Sequence, residues 1–289
     1  MTLAPPQIIE PLISNDNIDP QLQSPLFGKI PAEIRNQIFE LALQEYEDSK
    51  QPYKKDTYYY RPGFRCTKRV DVDLLRICKR TYVETRFVPV LRNLELSYYA
   101  GSDSRAPPEY RKHGFEMGQL DRNLKFKTTQ WSAISRIRIF PQMYALEALD
   151  IKRLFRRHDH LRPTQVTITL RYADWWFWED NVRLELNINT RHLEFPASVK
   201  KVVMELETRE GKLQELEGIV QGMLARPEQW TYSREDGAKL QIDTRRGAEQ
   251  WKWDGPTKID GATYPHHPEG DTMVYIVKVL TWVVIGESQ

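Results

Sequence analysis

Apolar residues recur at helical spacing in two early stretches of the chain. In residues 24–43, SPLFGKIPAEIRNQIFELAL, Ile34, Ile38, Leu41 and Ala42 stand at i, i+4, i+7 and i+8, the spacing of one buried helix face. Arg35, Asn36, Gln37, Glu40 and Gln44 fall on the other side, where water is expected. Pro31 suits the first helical position, whose N–H has no partner to lose, and Glu33 follows in the first turn, where the helix dipole favours an acid. A second run, DVDLLRICKRTYVETRFVPVLRN at 71–93, sets Leu74, Leu75, Cys78 and Tyr82 in a matching stripe. Asp71 or Asp73 can cap its start, and Pro89 predicts a kink or stop near Val88. Neither helix is long enough to be stable alone, so the two are expected to pack on each other or on the rest of the chain.

Between them, 44–69 is polar and basic, without a helical period. It reads as a partly ordered loop that leaves the core intact, although Thr57–Tyr60 can add an edge strand. Downstream the period changes to two. Leu94, Leu96 and Tyr98 alternate, then ISRIRIF at 134–140. A helix through YALEALDIKRLFRRH follows, with Leu146, Leu149, Leu154 and Phe155 on one side, and then the β-branched VTITLRY at 166–172. Strand, helix and strand in this compass predict a right-handed βαβ unit. Val182, Leu184, Leu186 and Ile188 read as another strand. The order recurs with VKKVVMELE at 199–207, KLQELEGIVQGMLA at 212–225 and AKLQI at 238–242, and TMVYIVKVLTWVV at 272–284 closes as a central strand. The expected class is α+β: a small helical module over 24–93 with the 44–69 insert, and an α/β domain with a mixed sheet over 94–289.

Composition adds bounds. Hydrophobic residues at 40% with 28% charged fit a soluble globular chain of 289 residues, and no apolar run approaches the roughly 20 residues of a membrane helix. A balance of 42 basic against 40 acidic residues gives no general pull toward nucleic acid or anionic lipid. Cys66 and Cys78 make no disulfide framework, which suggests a reducing compartment, cytoplasm or nucleus. Residues 1–23 carry four prolines and no signal-peptide pattern, and read as a flexible leader.

Chemistry is thinly represented. There is no phosphate loop, Rossmann fingerprint, nucleophile elbow or zinc-protease motif. His158-Asp159-His160 sits at a helix end beside Arg156 and Arg157, and His266-His267 lies between two prolines; neither names a third and fourth metal ligand. Cys78, on an apolar stripe, reads as a small hydrophobe. No catalytic residue, metal or cofactor is expected. The basic helix face of Lys152, Arg153, Arg156 and Arg157 reads as solvated. The unusual segment is Tyr172–Asp180, YADWWFWED. Continued as a strand, it would put Trp175 and Phe177 on one face and Trp176 and Trp178 on the other. Both pairs can be structural; the rival reading is a target surface of Trp175, Trp176 and Trp178 flanked by Asp174 and Glu179.

The two helical stretches resemble a known family. Leu26-Phe27-Gly28-Lys29-Ile30-Pro31-Ala32-Glu33-Ile34-Arg35, followed by Ile38 and Leu41, is similar to the opening of an F-box. The run Leu74, Leu75, Cys78, Lys79, Tyr82, Glu84, Pro89 and Leu91 is similar to the second half found in fungal F-box-like proteins. Their C-terminal regions also resemble this chain in element order, in the DWW-x-W motif and in the closing Thr-Met-x-Tyr strand. The insert between the helices departs from the usual F-box. The resemblance implies a non-enzymatic receptor that docks the Skp-type adaptor of a cullin–RING ubiquitin ligase and binds an unknown protein target. Docking would fall to Leu26, Ile30, Pro31, Ile34, Ile38, Leu74 and Leu75. The alternative is an F-box-derived interaction or structural domain in which those residues cap the core and the adaptor surface is lost.

Overall fold

A computed structural model describes residues 18–89, 95–111, 131–148, 150–186 and 193–285. The start of the leader, Leu94, Leu149 and Ile188 lie outside these residues. The architecture is α+β, built on a mixed sheet of nine strands with helices packed against it.

The helical stretches come first. A single turn, α1 (Pro25–Gly28), leads into α2 (Ala32–Ala42). Pro31 is the N-cap residue of α2 instead of its first helical residue. The second stretch is not one helix. A 3₁₀ turn covers Asp73–Arg76, and α3 (Lys79–Thr85) starts afresh after it. Cys78 explains the break: it is extended, and its Sγ accepts from the Thr81 N–H, so a half-buried thiol caps the helix where a core hydrophobe was expected.

The sheet runs β3 (Glu95–Ala100), β4 (Arg136–Pro141), β5 (Gln165–Leu170), β7 (Lys201–Arg209), β11 (Thr272–Val284), β9 (Lys239–Ile242), β8 (Tyr232–Arg234) and β6 (Glu194–Phe195). Strands β3, β4, β5 and β7 are parallel in that order. Helices α4 (Met143–Glu147) and α5 (Asp150–Arg157) make the crossover from β4 to β5, the expected βαβ unit. Long β11 reverses direction and serves two neighbours along one edge: β10 (Glu249–Pro256) beside 272–279 and β9 beside 282–284. Hence β7 and β9, joined through α6 (Leu213–Ala225), run parallel with β11 between them. Residues 182–186 form no strand; the backbone there is irregular, and the Leu184 N–H donates to Glu215 on α6.

The central strands β4, β5 and β7 alternate between two covered faces. Ile137, Ile139, Val166, Ile168, Val202, Met204 and Leu206 share one core with Leu216, Val220 and Met223 of α6. On that face Lys278 pairs with Glu217 of α6 at 3.1 Å. The opposite face carries Tyr99, Phe140, Thr169, Glu205, Glu207 and Tyr275, and the 44–69 insert covers it. The insert opens and closes with a hairpin, β1 (Tyr46–Pro52) against β2 (Cys66–Arg69). Between those strands Tyr59 and Phe64 are buried with Tyr99 and Phe140, and Arg61 reaches Glu205 and Glu207 on β7. The expectation of a loop outside the core is therefore wrong. Tyr58, Tyr59 and Tyr60 supply apolar area without a helical or strand period, so the packing left no periodic trace. No edge strand forms at Thr57–Tyr60, and the boundary drawn at residue 93 is crossed by these contacts.

Candidate interaction surface

The stripe expected to be buried on α2 is the exposed one. Ile34, Ile38 and Leu41 are 47%, 39% and 71% exposed, and Ala42 is exposed as well. The helix instead buries Arg35, Phe39 and Leu43, at i, i+4 and i+8. That second stripe is legible in the sequence once an arginine is allowed at a buried position. Arg35 is acceptable there because its charge is paired and its guanidinium is hydrogen-bonded and stacked. Its Nε donates to Glu84 on α3 at 2.9 Å, Nη1 donates to the Ile30 carbonyl, and the guanidinium lies 5.1 Å from the Phe27 ring centre. Arg80 completes the joint: it donates to the other oxygen of Glu84 at 2.9 Å, stacks on Phe27 from 4.3 Å and donates to the Pro20 carbonyl. The two helical stretches do meet, but through ions over an aromatic ring, which leaves the aliphatic stripe of α2 in water. Of the other expected docking residues, Leu26, Ile30, Leu74 and Leu75 are half-buried and Pro31 is exposed. Ile77 and Tyr82, in and before α3, are exposed too.

The tryptophan segment divides differently from a strand. The chain leaves β5 at Leu170 and makes 3₁₀ turns at Tyr172–Asp174 and Trp178–Asp180. Trp175 and Trp178 are buried; Trp176 and Phe177 are exposed. Asp174 is buried and bound to Arg171 through Nε at 2.5 Å and Nη2 at 3.1 Å. Of the five residues assigned to a target surface, only Trp176 and Glu179 face solvent; Trp175, Trp178 and Asp174 serve the fold.

The insert-covered face of the sheet holds a charged seam that sequence reasoning missed. Arg138 bonds Glu95 and Glu205, each at 2.9 Å, and Thr169 donates to Glu205 at 2.8 Å. Arg61 lies 3.2 Å from Glu205 and 3.6 Å from Glu207, with Trp251 under its guanidinium. A cleft of about 20 Å³ opens beside the seam among Tyr58, Tyr60, Tyr172, Glu207, Trp253 and Tyr275. That is room for about one water, not for a metabolite.

His266 and His267 converge on the Tyr172 hydroxyl, at 3.0 and 2.9 Å through their Nε2 atoms. With Nδ1 of His267 against the Thr257 carbonyl, its proton sits there and its Nε2 accepts. The Tyr172 hydroxyl then donates to His267 and accepts from His266. Burial, His267, Arg209 and Lys212 push the His266 imidazole down to about 4, and burial first lowers His267 as well. The pair is thus neutral at pH 7. Among the described residues no group of three or more His, Cys, Asp or Glu side chains is placed to hold a metal ion, and no helix is long and apolar enough to cross a membrane.

Comparison with known proteins finds no matching family model, curated protein or solved structure. Function must therefore be argued from these surfaces.

Proposed function

We propose that the chain is a protein-interaction receptor without catalytic chemistry of its own. In this reading α2 docks the Skp-type adaptor of a cullin–RING ubiquitin ligase and the sheet-based body binds a protein target, in cytoplasm or nucleus. The observation that carries it is the exposed stripe of Ile34, Ile38 and Leu41 on a helix whose opposite side is locked down by Phe39, Leu43 and the Arg35–Glu84 pair. Three large aliphatic side chains on one helix face return roughly 25 cal/mol per Å² when a partner covers them. An apolar face read as i, i+4, i+7 is also how a helix enters a partner's groove. The alternative, that these residues cap the core, is favoured by half-buried Leu26, Ile30, Leu74 and Leu75 but not by Ile34 and Ile38, which the fold leaves exposed. The identity of the adaptor rests on the F-box resemblance of the same residues.

The test is capture of a purified Skp-type adaptor by the full chain and by the double variant Ile34→Asp with Ile38→Asp. Both positions are partly exposed, so the variant should keep a cooperative melt close to the wild type while losing the adaptor, because a charge would have to be buried in an apolar contact. A wild-type chain that captures no adaptor, where a known F-box protein does, would overturn the reading.

A further inference from the structure

The body carries exposed aromatic side chains beside its buried tryptophans. Trp175 is drawn inward, its Nε1 donating to the Glu207 carbonyl at 2.8 Å. Trp178 is also drawn inward, its ring against Tyr58, Tyr172 and Tyr264. Between these anchors Trp176 and Phe177 stay outside, 42% and 60% exposed. Phe177 has φ +50° and ψ +34°, left-handed backbone that an L side chain with a bulky ring adopts at a cost. Glycine would make this corner without strain. The fold holds a phenyl ring outward here at an energetic penalty, which directs attention to what the ring touches.

The surroundings are acidic. Trp176 and Phe177 lie 5.9 Å apart between ring centres, and exposed Tyr144 lies 6.3 Å from Trp176. Trp176 Nε1 donates to Glu147 at 3.1 Å, which fixes the indole and sets a carboxylate at its edge. Glu179 and Asp180 follow in the next turn. Glu179 has Arg105 at 3.7 Å, but that guanidinium is largely covered and stacked 3.7 Å from the Tyr58 ring centre. Arg209 is engaged by Asn181 at the end of the turn. Glu147 and Asp180 are in no ion pair among the described residues.

We propose that Tyr144, Trp176 and Phe177, with Glu147 and Asp180, form the docking surface for a basic segment of a protein partner. An arginine or lysine side chain of that segment lies on the Trp176 and Phe177 rings. The inference rests on the reading that the body binds a protein target, and names that target's chemistry. A cation over an indole or phenyl face is attracted by the ring quadrupole, most strongly by tryptophan. Carboxylates at the rim add a long-range attraction that salt weakens. A nucleic acid would bring like charge to this rim, so its phosphates are disfavoured.

The test is fluorescence anisotropy of a labelled alternating Arg–Gly peptide titrated with the full chain, beside a Ser–Gly peptide of equal length. The Arg–Gly peptide should bind, more weakly as salt rises, and the Ser–Gly peptide should not. Trp176→Ala and Phe177→Gly should each weaken binding by roughly tenfold or more, as loss of an interface anchor does. Phe177→Gly should melt no lower than wild type, because the left-handed strain goes with the ring. Glu147→Gln with Asp180→Asn should weaken binding less and flatten its salt dependence. The Ile34→Asp, Ile38→Asp variant should bind the peptide normally, so failure of adaptor docking and failure here are told apart. Wild-type binding that ignores both aromatic substitutions, equal binding of the Ser–Gly peptide, or no binding of either peptide would overturn the proposal.

Discussion

Glu205 and Glu207 stand two residues apart on one face of β7, and their carboxyls move in opposite directions. Burial raises both. At Glu205 the guanidiniums of Arg61 and Arg138, with the Arg138 and Thr169 hydrogen bonds, outweigh burial and hold the carboxyl below its usual range. At Glu207 burial wins over Arg61, the Tyr172 N–H and Trp253, and the carboxyl is raised. Neighbouring charge, more than depth alone, decides which way a buried acid goes. The histidines beside this seam are displaced downward, which fixes the sign of a pH effect. A base whose folded pKa lies below its unfolded value of 6.5 contributes stability above 6.5 and loses it as pH falls toward the folded value, about 4 for His266. Glu207 has the opposite sign, contributing at low pH and losing that contribution as pH rises through its folded value. Comparison with a variant that keeps Glu207 removes that confusion. Between about pH 7 and pH 5, the wild-type melting temperature should fall further than that of His266→Gln with His267→Gln. Parallel curves for the two proteins would mean that the imidazoles are not held neutral.

At the scale of elements, α2 shows how one helix can carry two apolar stripes and bury the shorter one. Ile34, Ile38 and Leu41 outnumber Phe39 and Leu43, yet the joint to α3 is made by Arg35 and Phe27, which rotates the larger stripe outward. Phe39→Ala should therefore cost ~3–5 kcal/mol in denaturant unfolding. Ile38→Ala, partly exposed, should stay within roughly 1 kcal/mol. Equal costs would mean that the helix sits rotated from the orientation described. Elsewhere the element pattern was easier to read. Strands β4, β5, β7 and β11 and helices α5 and α6 lie close to where periodicity placed them. Besides the hairpin of the insert, three strands of the sheet escaped notice: β6 and β8 are two and three residues long, and β10 carries Gly255, whose missing Cβ makes room for the Trp253 and Tyr275 rings. The Val182–Leu186 alternation failed for the converse reason. A period of two is necessary for a half-buried strand but brings no partner, and here the Leu184 N–H is taken by a glutamate on α6.

Across the whole molecule, the insert between the helical stretches packs on the sheet. Arg61, 2% exposed, is the sharpest test, because its removal leaves Glu205 and Glu207 buried with less compensation. Arg61→Ala should destabilise by ~3–5 kcal/mol, the cost of stranding a buried charge, read by urea unfolding at pH 7. A near-neutral result would return the insert to the periphery. The sequence by itself determined the class, the βαβ unit, the long central strand and the absence of familiar catalytic motifs, because hydrophobic period and turn chemistry are local properties of the chain. It also marked the N-terminal helix and the tryptophan segment as unusual. Only the tertiary structure decided which stripe of α2 meets water, which two tryptophans are anchors, and that a polar insert closes the second face of the sheet. Those are questions of which partner a side chain finds. Arg61 reads as a loop cation, and Glu205 and Glu207 read as the wet side of a strand, until the fold brings them together across more than a hundred residues and sets the guanidinium against both carboxylates.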